Sequence, residues 1–286
     1  MNRLLVVIVC YNGMPWLERC LDSVISSSVS SDVLVCDNGS DDGSADFIER
    51  NYPQVNLIRS TENLGFARAN DIGLRQAVEK GYEYVYLLNQ DAWVLPDTFG
   101  KLIDAFAAGE WGIISPLQMH PEMTEPDRRF RRHYHGPMGG TDEVQAVRFV
   151  MAAHWMLSVP CLKKVGLFSP AFRHYGEDNN YCDRVRYHGF RIGVLPSAVA
   201  VHDRQVRKRT KAQRIYLNCQ YSRVRLSDPC SSFRVQSIWQ PVRQCIMSLR
   251  WLSLLPMRNI SELVAAYPDL RRWRDESCGE GAFLYE

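Results

Sequence analysis

Asp91 stands in Asn89-Gln90-Asp91, directly after the apolar run Tyr84 to Leu88. A carboxylate at a strand's carboxyl end can hold a divalent cation on a diphosphate. Magnesium and manganese take oxygen ligands and keep several waters, so one or two protein carboxylates suffice. The same residue can instead close a turn by bonding its own backbone. Glu177 and Asp178 open a helix expected over 177–188. Two adjacent acids there either supply a general base or only gain from the helix dipole. The cluster Asp37-Asn38-Gly39-Ser40-Asp41-Asp42-Gly43 fits a turn with Ser44 as helix cap, or a set of acceptors for a nucleobase and ribose. Asn63-Leu64-Gly65-Phe66-Ala67-Arg68-Ala69-Asn70 opens another helix, whose N-terminus and Arg68 can face phosphate; its glycine also suits an ordinary turn. His202 ends the last apolar run of the core, as a structural residue or as a metal ligand. His133 and His135 lie in the loop-like stretch 120–142 with Arg128, Arg129, Arg131 and Arg132, which reads as substrate-contacting rather than metal-binding.

The elements that must position these groups alternate. Residues 4–10 are continuously apolar and rich in Val and Ile, the pattern of a strand buried on both faces. Trp16, Leu17, Cys20, Leu21, Val24 and Ile25 mark one face of a helix after Pro15. Val33 to Cys36 and Val55 to Arg59 read as strands, Ala45 to Asn51 and Ala67 to Lys80 as helices, the second closed by Gly81. Residues 144–159 carry strand-like stretches, and Phe190 to Leu195 and Val199 to His202 read as further strands. A β-α-β alternation of this kind predicts a mainly parallel sheet with helices on both faces. Ligands of such sheets sit beyond the carboxyl ends of the strands. The clusters at Tyr11-Asn12-Gly13, Asp37 to Asp42 and Asn89 to Asp91 all fall there.

Composition narrows the classes. The chain of 286 residues, 46% hydrophobic and 23% charged, suits a folded α/β domain with an appendage. Its net charge of +2 hides an asymmetry: residues 204–286 hold 15 Arg or Lys against 7 Asp or Glu. We therefore divide the chain into a body, 1–203, and a basic, mostly helical extension, 204–286. The extension carries Arg204, Arg207, Lys208, Arg209, Lys211 and Arg214, then a stripe of Ile238, Trp239, Val242, Cys245, Ile246, Leu249 and Leu252. Basic and apolar groups combined in this way mark interfacial helices, so peripheral contact with an anionic membrane is one expectation; packing of the stripe on the body is the other. The nine cysteines show no Cys-x-x-Cys pair and read as reduced thiols of a cytoplasmic protein, with peripheral placement on the inner membrane face as an extension of that reading. No signal-peptide pattern or bilayer-length apolar run is evident. The place after the first strand lacks the Gly-x-Gly-x-x-Gly of a dinucleotide oxidoreductase. It also lacks the basic glycine-rich loop of a sugar-1-phosphate nucleotidyltransferase. That class and an inactive nucleotide-sugar-binding module are the alternatives kept.

In their order, Val9-Cys10-Tyr11-Asn12, Asp37 to Ser44, Glu62 to Asn70, Leu87 to Ala92, Tyr175-Gly176-Glu177-Asp178, Gly189-Phe190-Arg191-Ile192 and Pro196 to His202 resemble the family 2 glycosyltransferases of the GT-A fold. Within that family the chain is similar to bacterial rhamnosyltransferase-like enzymes that build cell-surface polysaccharides. The resemblance covers roughly residues 3–203. It implies inverting transfer from a nucleotide-diphosphate sugar, dTDP- or UDP-linked in preference to GDP-linked, to a saccharide or lipid-linked acceptor. It implies no nucleic-acid partner. It implies that Asp37 contacts the base, with Tyr11, Asn12, Asn38, Asp41, Asn63, Gly65, Arg68, Asn70 and Asn89 completing the donor site. Asp91 would bind Mg²⁺ or Mn²⁺ as a one-carboxylate form of the family's Asp-x-Asp, with His202 adding a metal or diphosphate contact. Asp178, with Glu177, would supply the base on the acceptor side. Asn180 stands where the family often has a further acid, and Asn89 where its first Asp can stand.

Overall fold

Seven consecutive apolar residues make Leu4–Cys10 a strand, β1, that needs cover on both faces, and it lies inside the sheet between two neighbours. The computed structural model describes residues 3–204 and 209–285. In chain order follow α1 (Leu17–Ile25), β2 (Asp32–Asp37), α2 (Ser44–Asn51), β3 (Asn56–Arg59), α3 (Phe66–Glu79) and β4 (Tyr84–Asn89). Next come β5 (Ala92–Val94), α4 (Thr98–Phe106), β6 (Trp111–Met119), β7 (Gln145–Val147), β8 (His154–Ser158), α5 (Val159–Val165), α6 (Glu177–Tyr187) and β9 (Arg191–His202). The extension holds α7 (Lys211–Ser227), α8 (Phe233–Trp251), α9 (Leu255–Ala265) and α10 (Tyr267–Glu276).

The sheet order is β3-β2-β1-β4-β8-β6-β9-β5, with β7 also on β9. Strands β3, β2, β1 and β4 pair in parallel, as do β6 and β9. The short strands β5, β7 and β8 run against them. Most strands thus share one direction, as the alternation of the first half predicts. The reversed β8 is an insertion that pattern alone does not reveal. Side chains alternate across the central strands. Leu5, Val7, Leu34, Val85 and Leu87 enter one core with α3, whereas Leu4, Val6, Ile8, Val33 and Val35 enter the other with α1 and α4. Gly73 lets α3 lie against β1: a Cβ there would stand 2.5 Å from a methyl of Val7.

Three local expectations change. Ser44 is not the cap of α2; Gly43 takes that place with φ 89°, and the Ser44 hydroxyl instead accepts from the Gly13 amide at 2.9 Å. The two short strands expected over 190–202 are one strand, β9, whose register against β6 jumps from Leu195 to Val199. The stretch 92–119, to which patterning assigns no element, contains β5, α4 and β6. In the extension the stripe does not pack on the body: Ile238, Leu249 and Leu252 are exposed. The chain then returns, and Ala282, Phe283 and Leu284 join the core cluster that contains Leu5 and Val7. Of the basic run expected at a membrane, Arg207 and Lys208 lie outside the described residues.

Candidate active site

The loops beyond β1, β2 and β4 are stitched together by their own polar groups. The Gln90 side-chain amide accepts from the Tyr11 backbone N–H at 2.7 Å and donates to the Tyr11 carbonyl at 3.0 Å. Asn12, at φ 51°, accepts the Asp41 amide at 3.0 Å, and its own N–H donates to Ser40. Asn38 clasps the loop before α3: it donates to Asn63 Oδ1 at 3.0 Å and accepts from the Leu64 amide at 2.7 Å. These bonds leave the Tyr11 ring and the Asp41 side chain exposed. Asp37 is buried; its Oδ2 accepts from Ser40, while Oδ1 has no partner among the described residues. A buried carboxylate oxygen without a donor is a place for a ligand's N–H or O–H.

Asp91 lies just past β4, and β5 pairs with β9 so that His202 is brought to it: Nε2 stands 3.4 Å from Asp91 Oδ1. Burial works against charge on Asp91, but the His202 bond and charge, with Arg204 beyond, hold its carboxyl below the usual range. Sequence reasoning missed the support behind this pair. His154 is wholly buried, with Nδ1 2.8 Å from the Tyr86 hydroxyl and Nε2 3.0 Å from the Val201 carbonyl. Burial pushes its pKa down to about 3, so the ring is neutral. Because a carbonyl only accepts, Nε2 carries the proton and Nδ1 accepts from Tyr86. This relay fixes the end of β9 one residue before His202. A lone His beside Trp155 in an apolar run gives no sign of it.

A cleft of about 480 Å³ opens beside this corner. Asn89 and Arg204, each two residues from the Asp91–His202 pair, line it together with Glu177, Asp178, His133 and Arg129. The turn into α6 has two left-handed residues in succession, Tyr175 at φ 67° and Gly176 at φ 100°. A Cβ on Gly176 would meet the Phe172 ring at 2.8 Å, which explains the glycine. Neither acid makes a side-chain cap bond to α6; Gly176 occupies the cap position. Asp178 Oδ1 accepts from the Asn179 amide at 2.8 Å and from its side chain at 2.9 Å. Glu177 is nearly buried and its Oε2 has no partner among the described residues. Burial raises both carboxyls, and the charge of Asp178 raises Glu177 further. His133 is held low by burial, and Asp178 pulls it the other way. A carboxyl raised by burial can take a proton closer to neutrality than an exposed one.

Not every expected residue reaches this cleft. Asn63 and Arg68 line a separate depression with Asp71, Phe168 and Arg173. Asn70 is buried within α3 and donates to the Phe66 carbonyl. Gly65, at φ 83°, lies where a Cβ would stand 2.7 Å from the Arg173 carbonyl. His135 is exposed and does not line the cleft.

The model of the family described as Glycosyl transferase family 2 matches residues 5–165, the span from β1 through α5. The chain belongs to glycosyl transferase family 2. It is 28% identical over 232 residues to the N-acetylglucosaminyl-diphospho-decaprenol L-rhamnosyltransferase of Mycobacterium tuberculosis, spanning 69% of this chain and 75% of that protein. The fold is that of S. aureus TarS in complex with UDP-GlcNAc, with a TM-score of 0.59 at 13% identity over 99% of this chain and 90% of that one. It is shared with GalNAc-T7 bound to UDP, GalNAc and Mn²⁺, with a TM-score of 0.63 at 15% identity over 99% of this chain and 56% of that one.

Proposed function

We propose that this glycosyltransferase moves a deoxyhexose from a dTDP- or UDP-linked donor, with inversion, to a lipid-linked saccharide in cell-surface glycan assembly. The observation that carries the reading is that the cleft lined by Glu177 and Asp178 is also lined by Asn89 and Arg204, each two residues from the Asp91–His202 pair. The relative's rhamnosyl transfer to a diphospho-decaprenol acceptor supports the substrate classes. Asp37, with its unpaired buried oxygen, receives the base, and the exposed Tyr11 ring packs on it. A polyprenyl acceptor is confined to a bilayer, so the enzyme works in peripheral contact with the cytoplasmic face of a membrane.

One carboxylate and one imidazole, adjacent at the end of the sheet, are oxygen and nitrogen donors that would hold Mg²⁺ or Mn²⁺. When bound, the ion neutralises charge on the departing diphosphate. Asp178 takes the proton from the acceptor hydroxyl as that oxygen bonds the anomeric carbon and the diphosphate leaves. Glu177, more deeply buried, stands behind it in the wall of the cleft, and burial raises the proton affinity of Asp178. Asn179 holds one oxygen of Asp178, so the other is left for the hydroxyl.

A donor panel tests the reading. Release of nucleoside diphosphate should need a dTDP- or UDP-sugar and the acceptor lipid, should stop in EDTA and should return with Mn²⁺. Asp91→Asn should lose most activity at an unchanged melting point. Full turnover in EDTA, or a product of retained anomeric configuration by NMR, sinks the corresponding part.

A further inference from the structure

Helix α8 is built inside out. The residues it turns toward the protein are polar: Gln240, Gln244 and Ser248 are 2%, 0% and 5% exposed. The two glutamines are tied to α7 in a continuous chain. Asn218 donates to Gln244 at 2.8 Å, Gln244 to Ser222 at 2.8 Å, and Ser222 to Gln240 at 3.0 Å. Because buried amides are costly to leave unpaired, this chain of bonds fixes the rotation of α8 about its axis. Pro241 cannot donate to the Ser237 carbonyl, and the Tyr267 hydroxyl of α10 does so instead at 2.7 Å. The helix is thus held from behind along its length.

Its other face is apolar and bare. Ile238, Trp239, Ile246 and Leu249 are 72%, 53%, 50% and 78% exposed. The turn into α9 continues the patch with Leu252 and Leu254. Leu252 is held at φ 46°, a backbone conformation that favours glycine, and yet its side chain is 90% exposed. Residues 232–266 carry Arg234, Arg243, Arg250 and Arg258 against Glu262 as their single acid. A second copy of this chain would bring the same positive segment to the face, with Glu262 as the single acid to answer four arginines. An anionic lipid surface answers both the apolar stripe and the arginines. No helix among the described residues is long and apolar enough to cross a membrane, so α8 would lie in the interface plane.

We propose that the outward face of α8, continued by the α8–α9 turn, is the surface on which this enzyme docks on an anionic phospholipid membrane. The inference rests on the peripheral contact proposed above and is independent of the donor, the acceptor and the metal. The test is flotation of the full chain with vesicles of phosphatidylcholine alone or mixed with phosphatidylglycerol. Wild type should float with the mixed vesicles, several-fold less with neutral ones, and less as salt is raised. Ile246→Glu with Leu249→Glu should abolish flotation at an unchanged melting point; Arg250→Gln with Arg258→Gln, which keeps the apolar face, should weaken it several-fold. If both variants float as wild type does, the contact lies elsewhere and the inference falls, while peripheral contact stands. If wild type does not float, both fall. A concentration-dependent dimer lost in the Ile246→Glu/Leu249→Glu variant, without flotation of the wild type, would assign the face to a second copy.

Discussion

Asp178 and Glu177 show how environment divides two identical functional groups. Glu177 is walled in, while Asp178 is half-buried at the cleft with Asn179 bonded to one of its oxygens. Asp178→Asn should leave the melting point and donor affinity intact and lower turnover by about 10²–10⁴-fold. Glu177→Gln should slow the reaction less. Because burial raises the carboxyl of Asp178, and a base works only when deprotonated, the wild-type rate should climb with pH through a window above the ordinary carboxylate range. A flat profile between pH 5 and 8 would argue against a carboxylate base. A second buried acid gives an opposite signature in stability. Asp71 accepts from the Phe168 amide at 3.0 Å, and burial raises its pKa to about 7 against the opposing pull of Arg75, Arg184 and Arg68. Between the unfolded value and about 7 the folded protein holds a proton that the unfolded chain has released, so this group's contribution to stability falls as pH rises through that window. Asp71→Asn keeps the acceptor and removes the slope. Its advantage over wild type should grow from pH 4 to 7, by at most about 1.4 kcal/mol for each step of one in pH. Parallel stability curves for the two proteins would refute the assignment.

At the scale of elements, the close approach of α3 to β1 depends on Gly73. Gly73→Ala should destabilise the protein, because overpacking of about 1–3 kcal/mol exceeds the roughly 0.5–1 kcal/mol that a helix gains from the exchange. Val7→Ala in the same chain should recover part of that loss, measured as a coupling energy in urea unfolding; strictly additive losses would mean that the two sites do not touch. The elements differ in how far their residues announce them. Strands β1, β2 and β4 are unbroken apolar runs ended by polar clusters, so both they and the loops that carry Asp37 and Asp91 are legible. In contrast, β6 contains Ser115 and Pro116, and β8 reverses direction for reasons that lie in its partners. The outward apolar face of α8 is legible as a stripe but not as a direction. Helical periodicity reports which residues share a face; it does not report what that face meets, and here Gln240 and Gln244 find polar partners on α7 first.

For the molecule as a whole, body and extension share a core although charge divides them at residue 203. The Leu167 amide donates to the Ala282 carbonyl at 2.9 Å, Arg75 bonds the Phe283 carbonyl at 3.1 Å, and the Arg184 guanidinium lies 5.1 Å from the centre of the Phe283 ring. Gly166, at φ 85°, leaves the gap in which Ala282 sits; a Cβ there would stand 1.9 Å from its carbonyl oxygen. Phe283→Ala should therefore cost about 3–5 kcal/mol, and Gly166→Ala should be at least as damaging. Deleting residues 282–286 should lower the melting point of the entire body. If instead the deletion leaves the melting point of the body unchanged, the extension is an independent unit.

The return of these three residues also bears on biosynthesis. Ala282, Phe283 and Leu284 are translated after every group they cover, including Arg184, Tyr181 and Leu167. Until they emerge, one side of the core cluster stays open while the ribosome is still adding chain. Long-range closure of this kind is slow and leaves apolar surface available to wrong partners. A nascent chain stalled before residue 282 should bind chaperones and be cut by protease at sites that the finished protein protects. Emergence of residues 282–284 should then be the event that seals this cluster, so residues made late decide when those made early are safe.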